Sequence, residues 1–330
     1  MDLGAVAGSG LRGCILVCRE GRPVFRKAYG YADLPNKIRN TCGTKFATAS
    51  AGKVFVAVGI LQLIEKGRLA LSDKIGDLFD FDLDQIDPAI TVEQLLTHTS
   101  GIPDYFDESA MRDYEDLWAD FPNYKIRSNR DLLPLFLHKP MLCGRGEKFQ
   151  YNNAGYVVLA MIIEKISGAP FDEYLAQHIF APCRMAGTGY YELDRLPAQC
   201  AANYIFDAAR NGYRTNIFSV DAKGTGAGGA FTTVDDIRSF WGNLLANKLL
   251  SAQMTTAMLE NHSGKAQCYG YGVWLASDGE NKVPYFQGSD PGVSFISSYD
   301  PLKKQMIVLV SNYGDDVWKL RKDINAFLGP

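Results

Sequence analysis

The sequence predicts an α/β (α+β) protein in which an antiparallel β-sheet flanked by helices is built from both ends of the chain, with a helical region inserted between them. Three observations predict it. Short β-prone runs stand at both ends, Cys14 to Arg19 and Val24 to Tyr29 early, then Tyr269 to Ala276, Val283 to Gln287, Val293 to Tyr299 and Gln305 to Ser311 late. The stretch between them carries mainly helical patterns and long loops. Within the stretch Phe46 to Gly67, the run Val54 to Ile64 has no charged residue, so a helix there is apolar on every face and must run through a core, and Ala154 to Ile166 is a second strongly apolar helix.

In chain order, Glu20-Gly21-Arg22-Pro23 separates the first two strands as a hairpin turn. The first core helix follows, with Ser50 as a residue type favoured at its start and Lys66-Gly67 as a basic last turn before a C′ glycine. Helices are expected at Ser72 to Phe79 and at Thr91 to Leu96, where Thr91 and Gln94 form a capping box. The loop His98 to Phe106 comes next, with His98 read as bonded to nearby backbone rather than as a catalytic group. Ser109 to Arg130 mixes aromatics with charges and is read as part of a lid, and Asp131 to His138 as a short amphipathic helix. Gly168 closes the second core helix. Phe171 to Gln177, Val234 to Ala246, Ala252 to Leu259 and Asp315 to Leu328 read as further helices, Cys183 to Phe218 as surface wrapping, and Ser277-Asp278-Gly279 and Asp300-Pro301-Leu302 as turns.

Composition narrows the function classes. The chain has 330 residues, 47% of them hydrophobic and 22% charged, which suits packed globular structure and argues against disorder. A formal net charge of -3 supplies no electrostatic reason for a nucleic-acid partner. No uncharged apolar run is long enough to span a membrane, and Met1 to Gly13 lacks the basic and apolar regions of an export signal. The seven cysteines form an odd set with no C-x-x-C pair, read as free thiols in a reducing compartment, so a cytoplasmic location is expected. The four histidines have no metal-ligand spacing, and neither a metal nor another cofactor is expected.

Two patterns carry chemistry. Ser50 and Lys53 stand at i, i+3 on one helix face, where burial and the helix dipole would lower the lysine's proton affinity and make it a base beside a hydroxyl. S-x-x-K is a catalytic motif for this reason, although roughly one chance match is expected in a chain of this size. The alternative makes Ser50 a helix cap and lets Lys53 reach solvent. The second pattern is Tyr151-Asn152-Asn153 before the second core helix: a phenol can exchange protons with a serine hydroxyl, and an asparagine amide can hold a substrate carbonyl or amide. Here the alternative is a loop tyrosine with helix-capping asparagines. Gly224 to Gly229 fits G-x-G-x-x-G, but no buried parallel strand leads into it. Glycines that let the backbone pass close to a cleft are therefore favoured over a nucleotide site.

Ser50-Ala-Gly-Lys53, Leu95 to Pro103 (LLTHTSGIP), Tyr151-Asn-Asn153, Gly228-Gly229 before a capped helix, and Gly288-Ser-Asp-Pro-Gly292 follow one another along the chain. This series resembles the serine β-lactamase and penicillin-binding protein superfamily, most closely its class C-like branch of β-lactamase-related hydrolases, esterases and D-amino-acid peptidases. The resemblance runs from about Gly13 to Phe327. It implies a β-lactamase/transpeptidase-like fold: an α/β sandwich from residues 1–67 and 216–330, a mainly helical domain from 68–215, and the active site in the cleft between them. It further implies that Ser50 is the acylated nucleophile, that Lys53 and Tyr151 transfer its proton, and that Asn153 contacts the substrate amide. The backbone N–H groups of Ser50 and Ser289 would form the oxyanion hole.

One position departs from the superfamily's pattern. Where its third motif has lysine or histidine, any residue, then glycine, this chain has Phe286-Gln287-Gly288. If Phe286 faces the cleft, substrates meet an apolar wall beside Gly288 and Ser289, and a substrate carboxylate loses its charged partner. Gln287, adjacent on a strand, points to the opposite face. The expectation is a serine hydrolase acting on a small ester, amide or peptide through an acyl-enzyme, with weak or no β-lactamase activity. The alternatives are a class C-like β-lactamase and a non-catalytic penicillin- or ligand-binding module, with a nucleotide-dependent enzyme behind both.

Overall fold

The two ends of the chain meet in a single six-stranded sheet. A computed structural model describes residues 4, 10–108, 110–111, 113–264, 267–278 and 281–329. Strands β1 (Gly13–Arg19) and β2 (Arg22–Tyr29) form the N-terminal hairpin, and β3 (Trp274–Asp278), β4 (Asn281–Asp290), β5 (Val293–Asp300) and β6 (Gln305–Ser311) follow near the C-terminus. The sheet order is β2-β1-β6-β5-β4-β3. All its pairings are antiparallel, and β1 joins the chain ends by pairing Gly13 with Ser311 through to Arg19 with Gln305.

Strand alternation decides the layers. Cys14, Leu16, Cys18, Phe295, Val308 and Val310 project from one face into the large core. Ile15, Val17, Ile296, Ile307 and Leu309 project from the other and are covered by Val317 and Ile324 of the closing helix α4 (Val317–Leu328). Central strands with helices on both faces cannot show the polar and apolar alternation of a half-exposed strand, which is why β6 is buried at every position.

Helix α1 (Lys53–Glu65) is buried from Lys53 through Leu63. Each fully buried side chain the size of Val54, Phe55 or Leu61 contributes ~1.5–3 kcal/mol, so the apolar run itself dictates a central position. Gly67, at φ 66°, takes the left-handed stop expected of it. Helix α2 (Asn153–Ser167) packs against α1, starts at the Asn152 cap, whose side chain accepts the Gly155 N–H at 2.8 Å, and stops at Gly168. Helix α3 (Val234–Leu245) is capped by Thr233 and lies on the core face of the sheet.

The smaller elements depart from the sequence reading for local reasons. The helix expected over Ser72 to Phe79 is one turn, Ile75–Leu78, whereas Val92–Leu96 carries the Thr91/Gln94 capping box as read. Asp131 to His138 is not an α-helix. A 3-10 segment occupies Asn129–Leu135, because Pro134 has no N–H to give an α-helical ladder. The surface stretch after Cys183 contains an antiparallel hairpin, Tyr204–Asp207 with Gly212–Thr215, whose mixed polarity concealed it. Of the turn expected at Ser277-Asp278-Gly279, Gly279 lies outside the described residues, as do Ser109 of the expected lid and most of Met1 to Gly10. Among the described residues no single helix is long and apolar enough to cross a membrane.

Candidate active site

Ser50 does not cap α1. It lies inside a 3-10 turn, Ala49–Gly52, that leads into Lys53, the first residue of the helix. Ala49 holds φ 48°, a left-handed conformation costing a residue with a Cβ about 1–2 kcal/mol, and the turn is held by neighbours: Gly229 N–H donates to Ala49 O at 3.1 Å and Thr48 N–H to Ala230 O at 2.8 Å. Gly288 of β4 explains how a strand can run against this turn. A Cβ there would stand 2.3 Å from Thr48 O and 2.6 Å from Ser50 N, so only glycine brings the strand backbone this close to the serine.

The Lys53 ammonium is 2% exposed and donates to Ser50 Oγ at 2.9 Å, to Asn153 Oδ1 at 2.8 Å and to Ala227 O. Burial lowers its pKa to about 8, against the opposing pull of Glu108, Asp104, Asp290 and Asp221. Tyr151 shares a hydrogen bond with Ser50, and burial foremost raises its phenol well above the ordinary range. The Tyr151 ring centroid lies 5.0 Å from Lys53 Nζ, and the ring stacks on Trp274 at 5.9 Å. Ser50, Lys53, Tyr151 and Asn153, distributed over about a hundred residues of sequence, are thus brought together. The Asn153 amide is already engaged, its oxygen by Lys53 and its nitrogen by Phe106 O at 3.2 Å.

Two further groups hold this floor in place. Asp104 accepts the Asn153 N–H at 2.7 Å and the Ala154 N–H at 3.1 Å at the start of α2, and burial pushes its carboxyl up to about 7 despite those donors and Lys53. His98 is buried and accepts the Asn152 N–H on Nδ1 at 3.1 Å, so it is bonded to backbone as read, but to backbone 54 residues away. Burial and then Lys53 hold its pKa well below the usual value, so the ring is neutral, lying 4.4 Å from the Tyr151 ring. Asp104 directly follows the quoted Leu95 to Pro103 stretch, and that adjacency was the one sequence signal for it.

Ser50, Tyr151 and Asn153 line a cavity of about 730 Å³, together with Phe106, Tyr114, Gly228, Gly288, Ser289 and Trp318, among others, and Lys53, Asp104 and His98 lie behind them. Gly224 to Gly229 forms its back wall. A Cβ on Gly228 would stand 2.5 Å from Ala49 O, and Ala227 carries the carbonyl that receives Lys53, so the glycines serve close backbone approach. Within the expected lid, Met111, Asp113 and Tyr114 line the cavity.

Phe286 is not among the residues that line it, so the expected apolar wall at this position of the cleft is wrong. The ring is 2% exposed and stacks on Trp241 at 5.3 Å and Phe295 at 6.1 Å, with Phe240 edge-on at 5.9 Å. Alternation turns Phe286 and Gly288 to the same face, but at 286 that face is roofed by Trp241 of α3 rather than open to the cleft. Gln287, on the opposite face, reaches the cavity wall, where its Oε1 accepts the Trp318 indole N–H at 2.7 Å. Among the described residues, no group of three or more His, Cys, Asp or Glu side chains could hold a metal ion.

A family model for β-lactamase matches residues 5–325. The chain belongs to the β-lactamase family. The putative penicillin-binding protein PbpX of Bacillus subtilis is 29% identical to this family member over 304 residues, 92% of this chain and 71% of that protein. The crystal structure of a penicillin-binding protein from Bacillus halodurans superposes with a TM-score of 0.93 at 35% identity, covering 99% of this chain and 100% of that one. The D-amino acid amidase of Ochrobactrum anthropi, in complex with D-phenylalanine, shares the fold at a TM-score of 0.79 and 24% identity, over 98% and 96% of the two chains. The β-lactamase-type fold is thus common to all of them, and the central sheet with its flanking helices is the part of this chain that carries it.

Proposed function

We propose that this chain is a serine hydrolase that cleaves a small ester, amide or peptide through an acyl-enzyme on Ser50. The observation that carries the reading is the contact of Lys53 Nζ with Ser50 Oγ at 2.9 Å, by a lysine whose proton affinity burial has lowered to within reach of neutral pH. In its neutral form Lys53 takes the Ser50 proton, with Tyr151 as the adjoining proton carrier, while Oγ bonds to the substrate carbonyl carbon. The oxyanion is received by the Ser50 and Ser289 N–H groups. In a two-residue hairpin closed by Asp290 and Val293, alternation turns the Ser289 N–H toward the open edge of β4, because β3 pairs with β4 only as far as Tyr285. The leaving group departs with a proton returned through Tyr151, and water then takes the place of the serine oxygen on the acyl carbon.

The residues that line the cavity come from both parts of the proposed domain division, Ser50 and Gly288 from 1–67 and 216–330, and Phe106 and Tyr151 from 68–215. No cationic side chain stands in the third-motif position to receive a β-lactam carboxylate, which supports an ester or amide substrate over a β-lactam. The test is a fluorophosphonate probe with intact-mass and peptide mapping, alongside hydrolysis of p-nitrophenyl butyrate. The adduct should sit on Ser50, and Ser50→Ala should lose both the adduct and on the order of a thousandfold of turnover without a change in melting temperature. Wild-type turnover in clean Ser50→Ala protein would move the nucleophile elsewhere.

A further inference from the structure

Tyr151 stands outside any helix, one residue before the Asn152 cap of α2, so its own segment does not fix it. A single residue of another loop does. His98 O accepts the Gln150 N–H at 2.8 Å and His98 Nδ1 accepts the Asn152 N–H at 3.1 Å, so one residue takes the backbone donors on both sides of Tyr151. The imidazole also lies against the phenol itself, with ring centroids 4.4 Å apart. Beyond Asn152 the same loop continues the hold: Asn152 Nδ2 donates to Ile102 O at 2.7 Å, and the Asn153 and Ala154 N–H groups donate to the Asp104 carboxylate.

Two unfavourable features mark this histidine as more than packing. Its backbone holds φ 56°, in the left-handed region that strains a residue with a Cβ, and in that conformation its carbonyl and its ring both meet the Tyr151 segment. The side chain is buried, and an imidazole accepting at Nδ1 carries its proton on Nε2, which has no hydrogen-bond partner among the described residues. A buried N–H left unpaired opposes folding, a penalty that a leucine or phenylalanine in this pocket would avoid. The rings of Tyr156 and Tyr269 stand 5.0 and 4.8 Å from the imidazole, and Lys53 Nζ lies 5.0 and 5.8 Å from the rings of Tyr151 and Tyr156. The titratable groups facing the imidazole are thus three phenols and one lysine. Burial and then Lys53 keep the ring neutral, so Nδ1 stays an acceptor.

We propose that His98 is a positioning residue for proton transfer, clamping the peptide on both sides of Tyr151 so that the phenol oxygen stays on Ser50; its kinetic role rests on the hydrolase reading above. His98 does not line the cavity, so it acts through Tyr151 and not on substrate. Without the Nδ1 acceptor, the Asn152 N–H is buried and unpaired, and the peptide that carries Tyr151 is released on one side. A proton on Nδ1 has the same result, because it sets two donors face to face.

The experiment compares His98→Asn with His98→Leu. Asparagine places Oδ1 where the imidazole has Nδ1 and tolerates a left-handed φ, whereas leucine keeps apolar bulk and removes the acceptor. Turnover of p-nitrophenyl butyrate is normalised to the protein that fluorophosphonate labels at Ser50 after long incubation. His98→Leu should lower kcat on the order of a hundredfold with KM within about threefold, the loss expected when a catalytic group is displaced by ~1 Å, and His98→Asn should stay within about tenfold of wild type. Equal loss of kcat in the two variants, or a lowered melting temperature with kcat per labelled site unchanged, would overturn the clamp and leave the hydrolase standing. Should neither variant fold, nitrogen NMR of the wild-type imidazoles decides, with signals assigned by replacing His138, His178 and His262 in turn. His98 should hold the Nε2–H tautomer and not titrate between about pH 5.5 and 9, and an Nδ1–H tautomer or a titrating ring would overturn the clamp. Wild-type protein neither labelled at Ser50 nor active on the ester would overturn the hydrolase reading and with it the kinetic role, while the tautomer would still decide whether His98 holds the Tyr151 segment.

Discussion

The floor of the cavity is withdrawn from water, with Lys53, Asp104 and His98 buried, whereas its outer wall is open to the cavity, with Asp221 and Asp290 half-buried and Glu108 and Asp113 exposed. On the floor, Lys53 donates three times and Asp104 takes the backbone N–H groups of Asn153, Ala154 and Phe106, while the buried Nε2 of His98 is left without a partner. On the wall, the Asp290 carboxylate has no hydrogen bond among the described residues, and the Asn203 oxygen is buried without a partner. Burial drives the floor cation's pKa down and the wall carboxyls' pKa values up, so both sets titrate near neutrality. The difference teaches which part of the site is complete. A constellation satisfied internally is preorganised and needs no reorganisation when substrate arrives.

The largest effect should come from the floor. Lys53→Met is expected to lower ester turnover on the order of a thousandfold, about 4 kcal/mol of transition-state stabilisation. In wild-type protein kcat/KM should rise with pH through about 8, because burial disfavours the ammonium and only the deprotonated lysine can accept the Ser50 proton. A profile flat between pH 7 and 9, or a Lys53→Met protein with ordinary turnover, would remove the lysine from proton transfer.

The next effect concerns a residue that lies behind both regions. Phe286→Ala should cost about 3 kcal/mol in urea unfolding, since it empties the stack of Trp241, Phe240 and Phe295, while turnover by the folded fraction should change only a few-fold. Unchanged stability with collapsed turnover would mean that the ring faces the cleft after all.

The smallest effect is on stability against pH, and it separates the two regions. Asp104, Asp221 and Asp290 have folded-state pKa values raised to about 7, above the ordinary carboxyl value near ~4, so the folded protein holds protons that the unfolded chain has released. Their contribution to stability is therefore present below about 4 and is lost as pH rises toward 7. Lys53, lowered to about 8, acts in the window from 8 to its unfolded value of 10.5, where stability rises with pH. Unfolding free energies at pH 5 and 7.5 should show a decrease that is shallower in Asp221→Asn/Asp290→Asn. An equal slope in the variant would mean that these two wall carboxyls do not titrate between the two pH values.

How much was legible in the sequence depended on the range over which each feature is decided. The apolar runs of α1 and α2, the glycine stops at Gly67 and Gly168, and strand runs at both ends of the chain are local and were legible in the chain alone, although the run expected from Tyr269 becomes a strand only at Trp274. The pairing of Ser50 with Lys53 was legible for the same reason, because two residues three positions apart at a helix start share a face whatever surrounds them. Tyr151 and Asn153 could be named from their place before a capped helix, although only folding brings them to Lys53. What tertiary structure alone decided was which neighbour each side chain meets. The alternation of β4 put Phe286 and Gly288 on one face, but the packing of Trp241 made that face core at one position, while the Ser50 turn made it active site two residues later. Asp104, Asp221 and Asp290 lie nearly two hundred residues apart at the extremes, and no spacing rule links them. Their raised pKa values, like the lowered one of Lys53, come from desolvation, a property of the surrounding packing that no single stretch of chain contains.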